Sequence, residues 1–482
     1  MTAEVDRRRK TSPRLERLLP FLLLLAFAHN ASAQSTEDQN YFDFSLPGAR
    51  SRAIGGAFVA VADDATSVYS NPAGLTQLFR PEVSIEGRLW FATSRAVDSG
   101  HAFGRATGIG IDTKDGPVDR DFEETFAGLS FLSFVYPGDG WAVGVFHHQL
   151  AKYQMDREIT GFFFDCRGGY RDGADVSKSM APFCEPQSAD RGVDREFPKQ
   201  QSYSLDISSI GSAFAYNFTD TLSAGVSLQY FSFSLDATNK VFSARDELWY
   251  QAPQFIEPGN IEGISRQTGD DHGWGVNAGI LWRAPRRWTI GGSVRRGPSF
   301  EYRTVLTAGP RYPPDRDKDE SGNPFRVPDT YSLGVSHWVS DLWQVSFEYD
   351  RVNYHQLIDD FRNTVFEPGN AETAVVTERV RLDNANQLRI GVERLFLFSG
   401  SRVLAVRGGA WYDPNHQVYY DVDDEQTGYP LPRWVMLNRK RDGAPHVSAG
   451  VGFTTRRHFQ FDVAVDLSDL MNTLAVSSVW RF

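Results

Sequence analysis

Along most of this chain apolar side chains take every second position over segments of roughly ten to sixteen residues, the period of a strand with two unlike faces. Val83, Ile85, Leu89 and Phe91 alternate with Ser84, Glu86, Arg88 and Trp90. Leu222, Ala224, Val226, Leu228 and Tyr230 interleave with Ser223, Gly225, Ser227 and Gln229. The pattern recurs from Trp274 to Trp282, Trp288 to Val294, Tyr331 to Val335, Trp343 to Tyr349, Leu388 to Val392, Val403 to Trp411, Val447 to Phe453 and Phe459 to Leu467. About fourteen strands follow from this count. Links between them alternate in length. Short ones lie near 138, 220, 286, 340, 400 and 457, and long polar ones near 98–122, 154–200, 236–271, 307–326, 357–384 and 413–441. Short turns at one end and long loops at the other describe an all-β, transmembrane antiparallel barrel, which leaves no backbone edge in lipid. A soluble sandwich or propeller fits less well, because strands there are shorter.

Trp141, Trp274, Trp288, Trp343 and Trp480 fall at strand ends, as interfacial girdles require. The last strand carries Leu474, Val476, Ser478, Trp480 and Phe482 on one face. Its terminal Phe resembles the signal read by the barrel-insertion machinery.

Composition alone describes a polar chain, with a mean hydropathy of −0.39 and 41% hydrophobic residues, yet 13% are aromatic. A barrel reconciles these values, since only alternate residues meet lipid. The N-terminus reads as a secretory leader over 1–33: Arg7, Arg8, Arg9, Lys10, Arg14 and Arg17, then the apolar run Leu18 to Ala28, then Ala31-Ser32-Ala33. That run is well short of the roughly twenty residues a spanning helix needs. Removing six basic and three acidic residues with the leader takes the net charge from −11 to −14, which disfavours nucleic acid as a partner.

Residues 34–80 read differently from the barrel at 81–482. Gly48 to Leu75 is rich in small residues, with turn-forming Asp63, Asp64, Asn71 and Pro72. The step Gly55 to Phe58, the run Ala62-Asp63-Asp64-Ala65 and the turn Asn71-Pro72-Ala73-Gly74 closely resemble the N-terminal hatch of the FadL/TodX family, outer-membrane transporters of long-chain fatty acids and aromatic hydrocarbons. The likeness is densest there, around Val327 to Gly334, and in Leu404 to Tyr412. It implies a passive transporter in the outer membrane of a Gram-negative cell, without enzymatic activity or cofactor. A hydrophobic ligand would be captured among extracellular loops and leave sideways through the wall when the hatch shifts. Gly55, Phe58, Asp63, Asp64, Asn71 and Pro72 would then be the gating residues.

The strand phase turns Glu82, Glu86, Arg88, Gln344, Ser346, Glu348, Asp350, Gln387, Arg389, Glu393, Arg407, Asp462 and Asp466 inward, giving a polar lumen of mixed sign. These either form a salt-linked wall that holds the hatch, or present one or two of Arg88, Arg389 and Arg407 to a substrate carboxylate. Phe162, Phe163, Phe164, Trp249, Tyr250 and Phe255 are loop aromatics that either capture ligand or pack the loops together. Cys166 and Cys184 share one long loop in an oxidising compartment, so a loop-stiffening disulfide is expected. The run Asp315 to Asn323 begins like a calcium loop but lacks the required Gly and final acid, so a solvated acidic loop is expected and no metal site. Signatures of hydrolase, zinc-protease, P-loop and dinucleotide chemistry are absent. Expected partners are hydrophobic small molecules, outer-membrane lipid and lipopolysaccharide, and the insertion machinery, around a monomer. A barrel of this kind acting as a scaffold or in secretion, without transport, is the rival reading.

Overall fold

A computed structural model describes residues 44, 46–103, 105–165, 193–195, 198–242, 250, 256–308, 318–357, 380–416, 419–420, 443–455 and 458–482. The leader, Cys166, Cys184, Trp249 and Phe255 lie outside them. The wall is a closed barrel of fourteen antiparallel strands. In chain order these are β1 (Glu82–Phe103), β2 (Gly116–Pro137), β3 (Trp141–Ile159), β4 (Lys199–Asn217), β5 (Leu222–Phe242) and β6 (Ile261–Ala284). β7 comprises Trp288–Arg296 and Ser299–Ala308, and β8 comprises Lys318–Arg326 and Thr330–Ser340. Then come β9 (Trp343–Val352), β10 (Ala385–Phe398), β11 (Arg402–Asp413), β12 (Ala444–Thr455), β13 (Phe459–Leu467) and β14 (Met471–Arg481). β14 pairs with β1 from Arg481 opposite Glu82 to Met471 opposite Ala92, and the sheet is closed.

The inward set read from the alternation holds throughout. Glu82, Glu86, Arg88, Glu348, Asp350, Glu393, Arg407, Asp462 and Asp466 are buried, while Val226, Leu228, Ile290, Leu333, Phe347 and Val451 are exposed on the outer face. The five tryptophans of the expected girdles are also exposed there.

Several strands outrun the expected ends. β5 shows why: up to Tyr230 its outward residues are apolar and its inward ones, Ser223, Ser227 and Gln229, are polar. Above that point inward positions become Phe231, Phe233, Leu235 and Ala237, and outward ones Ser232, Ser234 and Asp236. β4 inverts in the same way, with Leu205 and Ile207 inside and Ser202, Ser204 and Asp206 outside. The strands therefore continue past the apolar band as a collar that is wet outside and apolar within. The stretch expected as an acidic loop is partly such a strand, since Lys318–Arg326 pairs with Ser299–Ala308. β7 and β8 break at one level, at Gly297-Pro298 and Val327-Pro328-Asp329, where the two prolines have no N–H to donate.

Residues 46–78 lie inside the barrel. They form helix α1 (Ala49–Ala53), helix α2 (Ser67–Ser70) and the 3-10 turn Pro72–Gln77, and nearly every side chain is buried. Such short helices have little stability of their own. Contacts with the wall hold them.

Candidate functional site

The N-terminal segment is seated by charge. Arg52 Nη1 lies 3.3 Å from Asp466, and Arg50 pairs with Asp63 and with Glu393, the latter through Nε at 3.1 Å. Gly48 N–H donates to Glu86, and Val59 N–H donates to Glu348 Oε2 at 2.7 Å. The three arginines considered for a substrate carboxylate are all engaged. Arg88 Nη2 donates to Glu86, and to Leu46 C=O at 3.2 Å. Arg389 donates to Asp350 at 2.7 Å and to Gly55 C=O at 3.1 Å, with its guanidinium 4.2 Å from the Trp411 ring centre. Arg407 bridges Glu393 and Asp462, the second at 2.6 Å. Buried ions are tolerable only in such mutual pairing.

The gating candidates sit in this seat. Gly55 has φ +67°, and a Cβ there would come 3.0 Å from Ala410 N and Ile390 O; a Cβ on the facing wall glycine, Gly409, would fall on Gly55 N. Backbone meets backbone only because both are glycine. Phe58 packs with Ile54, Val61 and Ala62. Asp64 Oδ1 accepts from Thr66 N–H and Oγ1–H at 2.9 and 2.6 Å. Asn71, fully buried, donates from Nδ2 to Val59 C=O at 2.8 Å and to the wall at Ile280 C=O at 3.2 Å. Its Oδ1 accepts from Ala73 N–H at 3.2 Å, capping the turn that Pro72 begins.

Above the segment the lumen changes character. Trp90, Phe126, Phe131, Phe146, Tyr153, Met155, Phe231, Phe233, Phe300 and Tyr302 belong to one buried cluster, with Phe233 stacked on Phe300 at 4.8 Å. The wholly polar, mixed-sign lumen expected from the charged strand positions is therefore confined to the level of the segment. The apolar part comes from the collar, where the inward residues invert.

The wall parts beside that cluster. β2 and β3 are paired only from Pro137 opposite Ala142 to Phe131 opposite His148. Above this level β2 continues along β1 alone and β3 along β4 alone. Each carries an extra residue at the parting: Ser130 in β2, where Glu86 faces Phe131 and Gly87 faces Leu129, and Leu150 in β3, where Gln149 faces Ser208 and Ala151 faces Ile207. Such bulges bend a strand and increase its twist. Side chains replace part of the lost ladder. Gln149 Nε2 donates to Ala151 C=O at 3.0 Å and Ile207 C=O at 3.2 Å, Ser130 Oγ donates to Glu86 C=O at 3.2 Å, and Lys152 Nζ reaches across to Ala127 C=O at 3.0 Å. Two rim carbonyls, Ala127 and Ala151, thus keep side-chain partners, as a gap in a membrane wall requires of its backbone groups.

Two further luminal groups stand here: Arg295, which the sequence reading missed, and one of the adjacent pair His147 and His148, whose alternation puts one ring inside and the other outside. Arg295 in β7 lies with its guanidinium 5.7 Å from the Tyr69 ring centre and joins no ion pair among the described residues. His148, fully buried with both ring nitrogens unpartnered, lies 4.1 Å from the same ring. The outward run Trp288, Ile290, Val294 already implies that Arg295 points inward. His148 faces the lumen and His147 the outside, so the two do not converge.

Among the loop aromatics, Phe162, Phe163 and Phe164 are buried. Phe163 stacks on Tyr250 at 5.5 Å and lies under Arg195 at 5.3 Å, in a ribbon where Phe163–Asp165 pairs with Val193–Arg195 and with the end of β1. Among the described residues, no cluster of His, Cys, Asp or Glu has metal-binding geometry.

No protein-family model matches this sequence, and no curated protein matches it by sequence. Solved structures match it by fold. A Pseudomonas aeruginosa FadL homologue superposes with a TM-score of 0.57 at 11% identity, over 93% of this chain and 100% of that one. The toluene transporter TbuX of Ralstonia pickettii gives 0.53 at 16% identity, over 91% and 99%, and the Pseudomonas putida toluene transporter TodX gives 0.52 at 16%, over 92% and 100%. The chain thus has the FadL/TodX-type fold, that of an outer-membrane β-barrel, which the segment at Gly48 to Leu75 resembles in sequence.

Proposed function

We propose that the protein is a passive outer-membrane channel for hydrophobic compounds, with residues 34–80 acting as a hatch ahead of the barrel at 81–482. The observation that carries this reading is the parting of β2 from β3 beside an apolar luminal cluster, directly above the seated segment. A hydrophobic molecule entering through the collar stays in apolar surroundings and reaches lipid through the side of the wall. It need not cross the charged seat below. The match to a solved FadL homologue and to solved toluene transporters of this fold supports the same direction. Within the class, Arg295 and His148 stand at the boundary between apolar lumen and hatch, where a carboxylate head group would find an open guanidinium fork. Gly55, Phe58, Asp63, Asp64, Asn71 and Pro72 hold the hatch. Arg88, Arg389 and Arg407 anchor it.

Uptake of labelled long-chain fatty acid and of labelled toluene into cells with and without the gene tests the reading. A wall variant sharpens it. A Cβ on Gly128 meets only Trp90 and Lys152, at 3.7 and 3.8 Å, so Gly128→Phe should obstruct the gap and lower uptake at unchanged folded abundance. Equal uptake with and without the gene would support the scaffold reading instead.

A further inference from the structure

The outer face of the barrel carries a feature that transport does not use. Between β6 and β9 a shallow apolar groove of about 530 Å3 runs over Gly292, walled by Ile280, Val294, Tyr331, Leu333 and Tyr349. Gly292 points outward, and a Cβ there would meet nothing nearer than 3.6 Å. Three arginines ring the extracellular end of the groove. Arg351 is opposite Tyr331 in the β8–β9 ladder, Arg296 is the next outward residue above Val294 on β7, and Arg326 lies beyond the break in β8. Their positive charge is largely unspent. Arg296 and Arg326 are 71% and 41% exposed, and each stands off the buried Asp329, at 4.0 and 3.7 Å, beyond hydrogen-bond length. Arg351 gives one bond, Nη1 to Asn386 Oδ1 at 2.8 Å. Among the described residues Asp329 thus faces two of the guanidinium groups, and Arg351 joins no ion pair. The acids Asp270 and Glu301 lie higher on β6 and β7.

A second outward groove of about 490 Å3 supplies the contrast. It runs over Gly144 between β2 and β5, lined by Phe134, Val145, Phe214 and Leu228. Above it the ladder reads Leu132, His147, Ile210, Tyr230, with no arginine. Any apolar groove on a barrel accepts acyl chains. Only the first has a cationic crown at head-group height.

We propose that the groove with Arg296, Arg326 and Arg351 is a binding site for a phosphorylated, multiply acylated glycolipid of the outer leaflet, the chemistry of lipid A. The acyl chain lies over Gly292. Phosphate oxygens take paired N–H donors from the arginines, at the level where Tyr331 and Tyr349 mark the interface. A single-phosphate phospholipid would fill the groove but engage fewer of the three guanidinium groups.

The full-length protein, purified from outer membrane and delipidated in detergent, is titrated with lipid A, bis-dephosphorylated lipid A, phosphatidylglycerol and inorganic phosphate, with bound lipid read by native mass spectrometry. Wild type should retain lipid A at least tenfold better than the other three. Arg296→Gln with Arg351→Gln should remove that preference, weakening lipid A at least tenfold. Gly292→Leu, with the arginines intact, should weaken it through the groove. Heat-modifiable migration on gels confirms that each variant is folded. Equal retention by the double arginine variant, equal retention of the dephosphorylated lipid, or equal retention of phosphatidylglycerol overturns the assignment. Unchanged binding by folded Gly292→Leu overturns the role of the groove.

Discussion

Asn71→Ala isolates what holds the hatch, because the side chain is wholly inside and touches no outer surface. Its loss removes donors from Val59 C=O and Ile280 C=O and the acceptor for Ala73 N–H. Two of these partners belong to the segment itself and one to the wall. With each net hydrogen bond worth about 1 kcal/mol, and more where a buried group is left alone, the change weakens the seat by about 2–4 kcal/mol. That raises the population of displaced hatch by about 30- to 700-fold. The barrel ladder is untouched, so heat-modifiable migration and surface abundance should match the parent. Single-channel conductance in planar bilayers should show frequent openings, and leakage of small polar solutes into cells should rise. Gly279→Ala approaches the same contact from the wall, since its Cβ would fall on Asn71 Oδ1, and it should give the same phenotype. If both variants, folded and abundant, conduct and import like the parent, Asn71 is not part of a gate.

Other expectations follow from the same geometry. Gly409→Val places side-chain atoms where Gly55 N lies, so the segment should be expelled and become accessible to added protease in purified protein while the barrel resists. Arg407→Gln leaves Asp462 without its arginine and Glu393 with Arg50 alone and should cost about 3–5 kcal/mol, read as a clear drop in the temperature at which the gel-shifted folded form is lost. Arg295→Gln should lower fatty-acid uptake more than toluene uptake, because only the first ligand carries a carboxylate; equal reductions would refute the head-group role. Gln149→Leu removes the donor to Ala151 and Ile207 carbonyls and should narrow or collapse the gap, lowering uptake of both ligands.

The barrel was largely legible in sequence, because lipid imposes a strict period of two wherever a strand crosses it. That is why Glu348, Arg407 and Asp466 were placed inward and Trp288 and Phe347 outward from alternation alone. The collar was hidden by the same logic. Above Tyr230 the outward residues become Ser232, Ser234 and Asp236, which read as loop when apolar residues are assumed to face out. The parting of the wall was less visible still. One inserted residue, Ser130 or Leu150, shifts the phase without changing composition, and only pairing reveals which neighbour a strand has left. The use of Arg88, Arg389 and Arg407 as anchors depends on which partner each meets, Leu46 for Arg88, Gly55 for Arg389 and the Arg50-bound Glu393 for Arg407, which periodicity does not encode. The expected disulfide between Cys166 and Cys184 lies outside the described residues.

The seat of the hatch also fixes an order of assembly. Arg50 meets Glu393 across 343 residues, and Arg52 meets Asp466 across 414. The N-terminal segment precedes the wall in the chain, yet its carboxylate partners lie on β10 and β13, near the far end of the sequence. Contacts of such sequence separation are slow to close. The charged seat therefore exists only once β10 and β13 are in place, so the docking of Arg52 onto Asp466 cannot precede the closing of that side of the wall.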